Sequence, residues 1–369
     1  MTRRRTGPGT PLGAERADVL ICGASFAGLA VARELAGRGL DVLLVDRYEV
    51  GERATSACAA PAPWLRALGL EASIRQELGA MTFTTPHGSV RYEMPWAWAA
   101  FDYRHLCELL HAQGGARFET ATVRGRHGRV VETDRGELTA PVIVDALGWR
   151  RVLDADGYQP PDAPLSRGLE VHPERGGGDA LDVWIERSLV RRGYGWRVPA
   201  GGEARIGVGS YEPRHHVKEP TRALAERLDA DPVRWQGNWF PHRLRAAAAD
   251  GVFFVGDSAG HCLPLSGEGI RTALHFGLAA GREIASGKPP GRALADYAAF
   301  SARHAPLYRF ALALQRTVPR LPPRALTLAL RALRPQSERM FSWYLAQVAP
   351  AAGAAAARRP ARPAPSRAA

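Results

Sequence analysis

A short apolar strand, a turn of small residues and a helix follow one another near the start of the chain, and this order constrains the fold more than any other feature. The apolar run Val19–Cys22 leads into the turn GASFAG at residues 23–28, and apolar residues at helical spacing follow. A second apolar run, Val42–Val45, comes next. Two short, continuously apolar strands joined by a helix are typical of a βαβ unit in a buried parallel sheet. The sequence therefore predicts an α/β fold with a Rossmann-like domain.

The turn has nearly the spacing of the G-x-G-x-x-G pattern that binds the pyrophosphate of a dinucleotide. Gly23 permits the tight turn and Gly28 lets the helix pack on the strand, while Ser25 replaces the middle glycine with another small residue. The helix N-terminus offers unpaired N–H groups and a partial positive charge to the phosphates. The motif predicts a dinucleotide site, and a glycine-rich turn in an unrelated α/β fold is the alternative.

Asp46 ends the second strand, eighteen residues after Gly28. A carboxylate at this place can accept hydrogen bonds from both ribose hydroxyls and would repel a 2′-phosphate, so the site fits FAD or NAD better than NADP. The candidate cofactor contacts from this unit are Gly23, Ser25, Phe26, Ala27, Gly28, Asp46 and Arg47.

A second motif lies more than 220 residues downstream, in GVFFVGDSAGHCLPLSGEGIRTALHFG at residues 251–277. Asp257 follows an apolar run and can accept a hydrogen bond from a ribityl hydroxyl. Glycines at 267 and 269 let the backbone approach a flat ring, and the following helix N-terminus can stabilise the negative charge of a reduced flavin. The two motifs together predict FAD. The candidate contacts from this motif are Gly256, Asp257, Gly267, Gly269 and Ile270.

On these motifs the chain resembles the flavoprotein superfamily of aromatic hydroxylases, geranylgeranyl reductases and flavin halogenases, over roughly residues 17–300. VIVDALGWRRVL, with Asp145 and Gly148, is similar to the middle D-G motif of the family, which lies near the pyrophosphate. Arg104 in FDYRHLCELL matches the helix arginine that contacts FAD in the family. The resemblance implies a Rossmann-like FAD-binding domain, an inserted antiparallel β-sheet substrate domain and C-terminal helices.

Composition and strand patterns give approximate boundaries for these parts. Residues 81–100 carry aromatic and β-branched residues around a Pro-His-Gly turn and predict a hairpin, and residues 116–144 predict three strands. The predicted division is disordered residues 1–16, an FAD-binding domain of 17–80, 101–163 and 245–300, a substrate domain of 81–100 and 164–244, C-terminal helices over 301–350 and a disordered tail over 351–369.

The segment GYGWRVP at residues 193–199 is similar to the Y-x-W-x-F-P motif of geranylgeranyl reductases and to the W-x-W-x-I-P motif of halogenases. Tyr194 and Trp196 alternate along a strand and point to one face, where they can line a channel for a polyisoprenoid or a flat ring. Two core aromatics are the alternative. Halogenases also use a lysine early in the chain, and no lysine precedes Lys218, which disfavours that branch.

Geranylgeranyl reductases also place a cysteine after the second strand, close to the flavin, and Cys58 matches this position loosely. A thiol there can donate a proton to a carbon that has received hydride, which makes Cys58, with Tyr194 and Trp196, a candidate catalytic residue. A buried loop cysteine and a pair with Cys262 are the alternatives. The four cysteines show no C-x-x-C spacing, so we expect no zinc site and a reducing, cytoplasmic compartment.

The net charge of +12 is concentrated in the termini, because residues 303–369 contain twelve arginines and a single acidic residue, Glu338. Without a nucleic-acid-binding motif, this pattern disfavours nucleic acid. A solvated basic tail is the first interpretation, and peripheral contact with an anionic membrane is the alternative. The predicted function is FAD-dependent reduction of carbon–carbon double bonds in an isoprenoid or other apolar substrate, with NADH, NADPH or another donor. Hydroxylation of an aromatic or polycyclic compound is the second hypothesis, and a non-enzymatic flavin-binding redox or docking protein is the third.

Overall fold

The structure is a computed structural model that describes residues 11–12, 15–54, 57–154, 156–160, 163, 165–174 and 176–349. The strands in these residues are β1 (Glu15–Arg16), β2 (Val19–Cys22), β3 (Val42–Asp46), β4 (Ala59–Pro61), β5 (Ile74–Thr85), β6 (Gly88–Phe101), β7 (Arg117–Thr120), β8 (Val123–His127), β9 (Val130–Thr133), β10 (Gly136–Thr139), β11 (Val142–Asp145), β12 (Leu165–Val171), β13 (Ala180–Trp184), β14 (Gly193–Ala200), β15 (Glu203–Ser210), β16 (Gln236–Pro241), β17 (Ala248–Ala249) and β18 (Val252–Phe254). The α-helices are α1 (Phe26–Leu35), α2 (Ala62–Ala67), α3 (Tyr103–Gly114), α4 (Lys218–Arg227), α5 (Ile270–Ile284), α6 (Pro290–Ala302), α7 (Ala305–Thr317), α8 (Pro323–Leu333) and α9 (Ser337–Gln347).

A six-stranded sheet in the order β17-β18-β11-β2-β3-β7 carries both sequence motifs. β2 pairs in parallel with β3 and β11, and β11 pairs in parallel with β18, so the strands that precede the two motifs end at the same edge. β2 is buried along its whole length, and α1 packs between it and the helices α3 and α5. The predicted βαβ unit is confirmed, and the carboxyl edge of such a sheet is where ligands bind.

The segment 116–144 contains the five strands β7 to β11 instead of the predicted three. Two-residue turns at 128–129 and 134–135 separate β8, β9 and β10. These strands are so short that the alternation of apolar and polar residues does not show where one ends and the next begins. β8, β9 and β10 join β1 in a four-stranded sheet. Because residues 15 and 16 form β1, the prediction of disorder is wrong for these two residues. Residues 1–10 and 13–14, also part of that prediction, lie outside the described residues.

An eight-stranded sheet in the order β16-β12-β15-β14-β13-β5-β6-β4 forms the second large layer. Its β5–β6 hairpin confirms the hairpin predicted over 81–100 but is longer, because β5 begins at Ile74. The predicted domain boundary at residue 80 therefore falls inside a strand, and β4, at 59–61, also belongs to this sheet. The division into FAD-binding and substrate domains otherwise stays a prediction.

The C-terminal helices pack across the β5–β6 hairpin. The Tyr92 hydroxyl donates to the Leu330 carbonyl of α8 at 2.6 Å, and the Trp96 indole N–H donates to the Phe341 carbonyl of α9 at 3.2 Å. Helices were predicted here, whereas the tail predicted over 351–369 lies outside the described residues. Among the described helices, each is too short or too polar to cross a bilayer.

Candidate active site

The two large sheets and the C-terminal helices enclose a continuous cavity of about 1440 Å³. Its wall includes the turn after β2, the loop between β18 and α5, the face of the eight-stranded sheet and parts of α7, α8 and α9. The two sequence motifs therefore border the same space although more than 220 residues separate them. The predicted contacts Ser25, Phe26, Ala27, Asp46, Arg47, Gly148, Gly256, Asp257, Gly267, Gly269 and Ile270 all line it.

Asp46 holds the turn against the end of β3. Its Oδ2 accepts a hydrogen bond from the Ala24 N–H at 2.8 Å, and its Oδ1 accepts one from the Tyr48 N–H at 3.1 Å. Burial raises the pKa of Asp46, and these hydrogen bonds oppose the rise. Gly23 and Gly28 lie behind the wall and allow the backbone to pack closely there. This part of the cavity has the form that the sequence predicts for an adenosine and pyrophosphate site.

Arg104 does not reach the cavity. Its side chain is 63% exposed and forms an ion pair with Glu108 at 3.5 Å, whereas its neighbour Tyr103 lines the wall and donates a hydrogen bond to the Ser25 hydroxyl at 3.1 Å. The cations on the wall that suit a pyrophosphate are instead Arg47, Arg53, Arg124 and Arg150. Of these the sequence analysis identified Arg47 alone, because scattered arginines carry no recognisable spacing.

Asp145 lies behind the cavity wall and binds the loops that form it. The buried carboxylate accepts hydrogen bonds from the Leu147 and Leu153 N–H groups, both at 2.9 Å, and from the Ser258 hydroxyl at 2.6 Å. Asp145 thus connects the middle D-G motif to the second motif. Gly148, in the same loop, has a φ of +85° and lies on the wall itself.

Asp257 lines the cavity, and no hydrogen bond joins its carboxylate to another described residue. Burial raises the pKa of Asp257 to about 7, because an ionised carboxylate without donors is unfavourable in this apolar place. Hydroxyl donors from a ligand would relieve that cost. An unpaired carboxylate, adjacent glycines at 256 and 269 and the N-terminus of α5 together fit the ribityl chain and ring of FAD.

The predicted aromatic pair also lies on the wall. The rings of Tyr194 and Trp196 are 5.8 Å apart, and the Tyr194 hydroxyl donates to the Ser266 carbonyl in the loop of the second motif. The Trp196 indole N–H donates to Glu170 Oε2 at 3.0 Å. Glu170, a buried acid in β12, lines the cavity and was missed by the sequence analysis.

Cys58 is buried behind the wall, between the wall residues Ala57 and Ala59, with a left-handed φ of +49°. Burial raises the pKa of its thiol to about 12, which makes it a weak proton donor. Cys262 does line the cavity, and both cysteines are free thiols, so the alternative in which they form a disulfide is wrong. The catalytic role of Cys58 stays a prediction that this geometry does not support.

The cavity continues away from the two sequence motifs, between the eight-stranded sheet and the C-terminal helices. This extension is almost entirely apolar and is lined by Met81, Phe83, Leu181, Val183, Ile185, Phe310, Leu314, Leu321, Leu330, Leu333, Met340, Phe341 and Trp343. Phe310, Leu321, Leu333 and Trp343 are also exposed, so the extension opens at the surface of the C-terminal helices. Such a space suits a long hydrocarbon chain that enters from this surface.

Comparisons with known proteins bear on the fold and on the cofactor. Residues 18–111 match the family described as FAD dependent oxidoreductase. Digeranylgeranylglycerophospholipid reductase 2 of Methanopyrus kandleri is 28% identical over 73% of this chain and 76% of its own length. The fold is similar to that of a geranylgeranyl bacteriochlorophyll reductase-like protein of Thermoplasma acidophilum, with a TM-score of 0.78, 16% identity and coverage of 91% and 97% of the two chains. It is also similar to PqsL of Pseudomonas aeruginosa, described as a probable FAD-dependent monooxygenase, with a TM-score of 0.66, 19% identity and coverage of 85% and 99%.

The similarities confirm the predicted α/β fold and FAD as the cofactor, and they support an enzyme instead of a non-enzymatic flavin-binding protein. The role of each residue at the site stays a prediction.

Asp257 gives a first test of the flavin site. We expect Asp257→Asn to weaken FAD binding by about 10- to 100-fold, since hydrogen bonds to a charged group contribute about 1.5–3 kcal/mol. Binding by the unaltered protein should weaken as pH falls below about 7, because the protonated carboxyl must release its proton to accept donors fully. Titration of apoprotein with FAD, followed by flavin fluorescence, measures both effects.

The matched control is Glu108→Gln, which removes an exposed carboxylate outside the cavity and should leave FAD affinity unchanged. Equal affinities for Asp257→Asn and the unaltered protein at pH 8 would contradict the assignment of Asp257. The same pH dependence in both proteins would contradict the assignment of the titration to this carboxyl.

Proposed function

We propose that this FAD-dependent oxidoreductase saturates carbon–carbon double bonds in the isoprenoid chain of a membrane lipid. The observation that carries the proposal is the apolar extension, which runs from the flavin motifs past Trp196 to an opening among α7, α8 and α9. Its wall offers almost no polar partners, so it selects a substrate by hydrocarbon shape and length. The relative from Methanopyrus kandleri, named a digeranylgeranylglycerophospholipid reductase, supports an isoprenoid as the substrate class.

The residues of the site have distinct tasks in this reaction. Bound FAD, when reduced, supplies a hydride equivalent. Arg47 and Arg150 neutralise the pyrophosphate, and the N-terminus of α5 stabilises negative charge on the reduced ring. Tyr194 and Trp196 hold the chain on one face, and the apolar wall excludes water from the reacting carbons.

Hydroxylation is the second candidate, because the fold of PqsL is also similar. Anaerobic incubation of dithionite-reduced holoenzyme with polyprenyl lipids of graded length separates the two. The proposed reaction gives products two hydrogens heavier and reoxidises the flavin without oxygen. Products that carry an added oxygen atom and form only in air would overturn it.

We further propose that the C-terminal helices dock on an anionic membrane. In residues 305–349 seven arginines accompany one acid, Glu338, and all seven are exposed. Exposed apolar side chains lie among them, including Leu328 at 63% and Trp343 at 49% exposure. Apolar side chains ringed by arginines are typical of an interfacial surface, and the cavity opens at this same surface.

Leu328 tests the membrane surface without touching the cavity wall. We expect Leu328→Glu to weaken binding to vesicles containing phosphatidylglycerol at least tenfold, since full burial of a leucine contributes about 1.5–3 kcal/mol and a glutamate adds repulsion. Added salt should weaken binding of the unaltered protein. Co-sedimentation with the vesicles measures both effects. The control is Leu40→Glu, at another exposed leucine, which lies between α1 and β3. Equal losses in the two variants would contradict a specific surface.

A further inference from the structure

Saturation of a double bond, the proposed function on which this inference rests, adds a hydride equivalent to one carbon and a proton to the other. A hydrocarbon chain that fills the apolar extension would displace water from it, so a group on the cavity wall is the natural source of the proton. The candidate acids on the wall near the eight-stranded sheet and the second motif are Glu170, Tyr194, Tyr211, Asp257, Cys262, Glu268 and Tyr344.

Most of these groups are already engaged or are poor acids. The hydroxyls of Tyr194 and Tyr211 donate to the Ser266 and Leu265 carbonyls, and burial raises the pKa of both tyrosines. The pKa of Cys262 is likewise raised, by burial and by nearby carboxylates.

Two of the three carboxylates, Glu268 and Asp257, have other roles in the site. Glu268 is ion-paired with Arg271 at 2.7 Å and accepts a hydrogen bond from Tyr344. Asp257 faces the place where the ribityl chain fits.

Glu170 differs from the other candidate acids because its hydrogen bonds link the cavity wall to a side chain in contact with solvent. It is 2% exposed, and its Oε2 accepts the Trp196 indole N–H at 3.0 Å, which places the carboxyl against the proposed substrate face. Its Oε1 accepts hydrogen bonds from Gln236 and from His172 Nε2, the latter at 2.9 Å. The His172 side chain keeps 14% of its surface in solvent. His172 and Glu170 therefore form a route along which a proton can pass from solvent to the cavity wall.

The charges around this route are nearly balanced. On β15, Arg205 pairs with Glu203 at 3.3 Å, and Arg234 lies 3.6 Å from Glu203 and donates to the His172 carbonyl at 2.7 Å. An apolar chain that fills the cavity removes water from Glu170 but not from the exposed edge of His172. His172 thus keeps contact with solvent when the cavity is filled, and its Nε2, 2.9 Å from Glu170 Oε1, gives a proton a direct path to that carboxyl.

We infer that Glu170 donates the proton to the substrate carbon and that His172 returns a proton to it from solvent. The Glu170 O–H bond breaks as a C–H bond forms at one alkene carbon, while the hydride equivalent forms the C–H bond at the other. Glu170 is left as a carboxylate and His172 restores the acid. The electron donor returns the oxidised flavin to its reduced form.

Glu170→Gln tests the proton donor, because the amide oxygen can still accept the Trp196 N–H. We expect kcat to fall at least 100-fold, the usual range for loss of a general acid, with KM and FAD affinity within about twofold. Formate should restore part of the activity of Glu170→Ala, and His172→Gln should shift the pH profile of kcat. Asp182→Asn, which removes a carboxylate of the same sheet paired with Arg197, is the control and should behave as the unaltered enzyme.

A readout without turnover completes the test. Binding of a saturated isoprenoid lipid to oxidised holoenzyme should produce a protonated-carboxyl band in infrared difference spectra that Glu170→Gln lacks. Turnover by Glu170→Gln at the rate of the unaltered enzyme, or a rise in KM alone with no formate rescue, would overturn the inference and leave Glu170 as a residue that positions Trp196. Failure of the unaltered enzyme to saturate any isoprenoid would instead overturn the proposed function, and the inference with it.

Discussion

Arg271→Met should lower the free energy of unfolding by about 3–5 kcal/mol, because it removes one partner of a buried ion pair and leaves the other charge uncompensated. The Arg271 side chain is fully buried, with its Nε 2.7 Å from Glu268 Oε1 and its Nη2 2.9 Å from Glu268 Oε2. Its Nη1 also donates to the Tyr344 carbonyl at 3.1 Å, and its guanidinium lies over the Tyr344 ring at 4.5 Å. Urea unfolding of the holoenzyme measures the loss.

The control for this prediction is Arg282→Met in the same helix. Arg282 is 39% exposed and lies 4.0 Å from Glu34, so its loss should cost less than about 1 kcal/mol. Replacing Glu268 and Arg271 together with Leu and Met should cost less than the sum of the single changes, since no unpaired charge remains. Equal destabilisation by Arg271→Met and Arg282→Met would contradict the role of the buried pair.

We expect Arg271→Met also to weaken the binding of FAD. Glu268 lies between Gly267 and Gly269, the glycines that line the cavity, and Tyr344 joins this loop to α9. The ion pair therefore connects the C-terminal helices, where the cavity opens, to the loop that is predicted to face the flavin ring. Weaker FAD binding in Arg271→Met than in Arg282→Met is the expected sign of this connection.

Local sequence patterns predicted the parts of the site that depend on backbone. The strand, turn and helix of the first motif and the loop of the second are short-range features, and the parallel pairing of β2, β3, β11 and β18 brings their ends to one edge. The alternation of Tyr194 and Trp196 likewise predicted their shared face. Such features need only the periodicity of the chain itself.

The site predictions that the geometry does not support depend on which side chain faces the cavity. Arg104 and Tyr103 are neighbours on α3, but successive helix residues point about 100° apart, so one is exposed and the other lines the wall. Cys58 has a left-handed backbone between two wall residues, which turns it away from them. The position of Glu170 depends on the pairing of β12 with β15, which no local pattern records.

Gly28→Val should prevent assembly of the flavin site, and this is the most severe substitution that we predict. A Cβ atom at position 28 would lie 1.9 Å from the Gly23 carbonyl oxygen and 3.2 Å from Ile21 Cγ2. The nearer contact is backbone against backbone, so side-chain rotation cannot relieve it, and α1 must move away from β2. Because this movement displaces the N–H groups that are predicted to face the pyrophosphate, we expect a loss of more than about 4 kcal/mol in stability and colourless protein.

If the valine variant fails to fold, Gly28→Ala tests the same prediction, because the alanine Cβ atom alone would clash with the Gly23 carbonyl oxygen. The control is Gly291→Ala in α6, where a Cβ atom meets nothing within 4 Å and the change should be neutral or slightly stabilising. Thermal unfolding and the flavin absorbance of the purified proteins measure both effects. Equal flavin absorbance and equal stability in Gly28→Ala and Gly291→Ala would show that α1 does not pack on the turn as closely as this site requires. The assignment of the turn to the pyrophosphate would then lose its geometric basis.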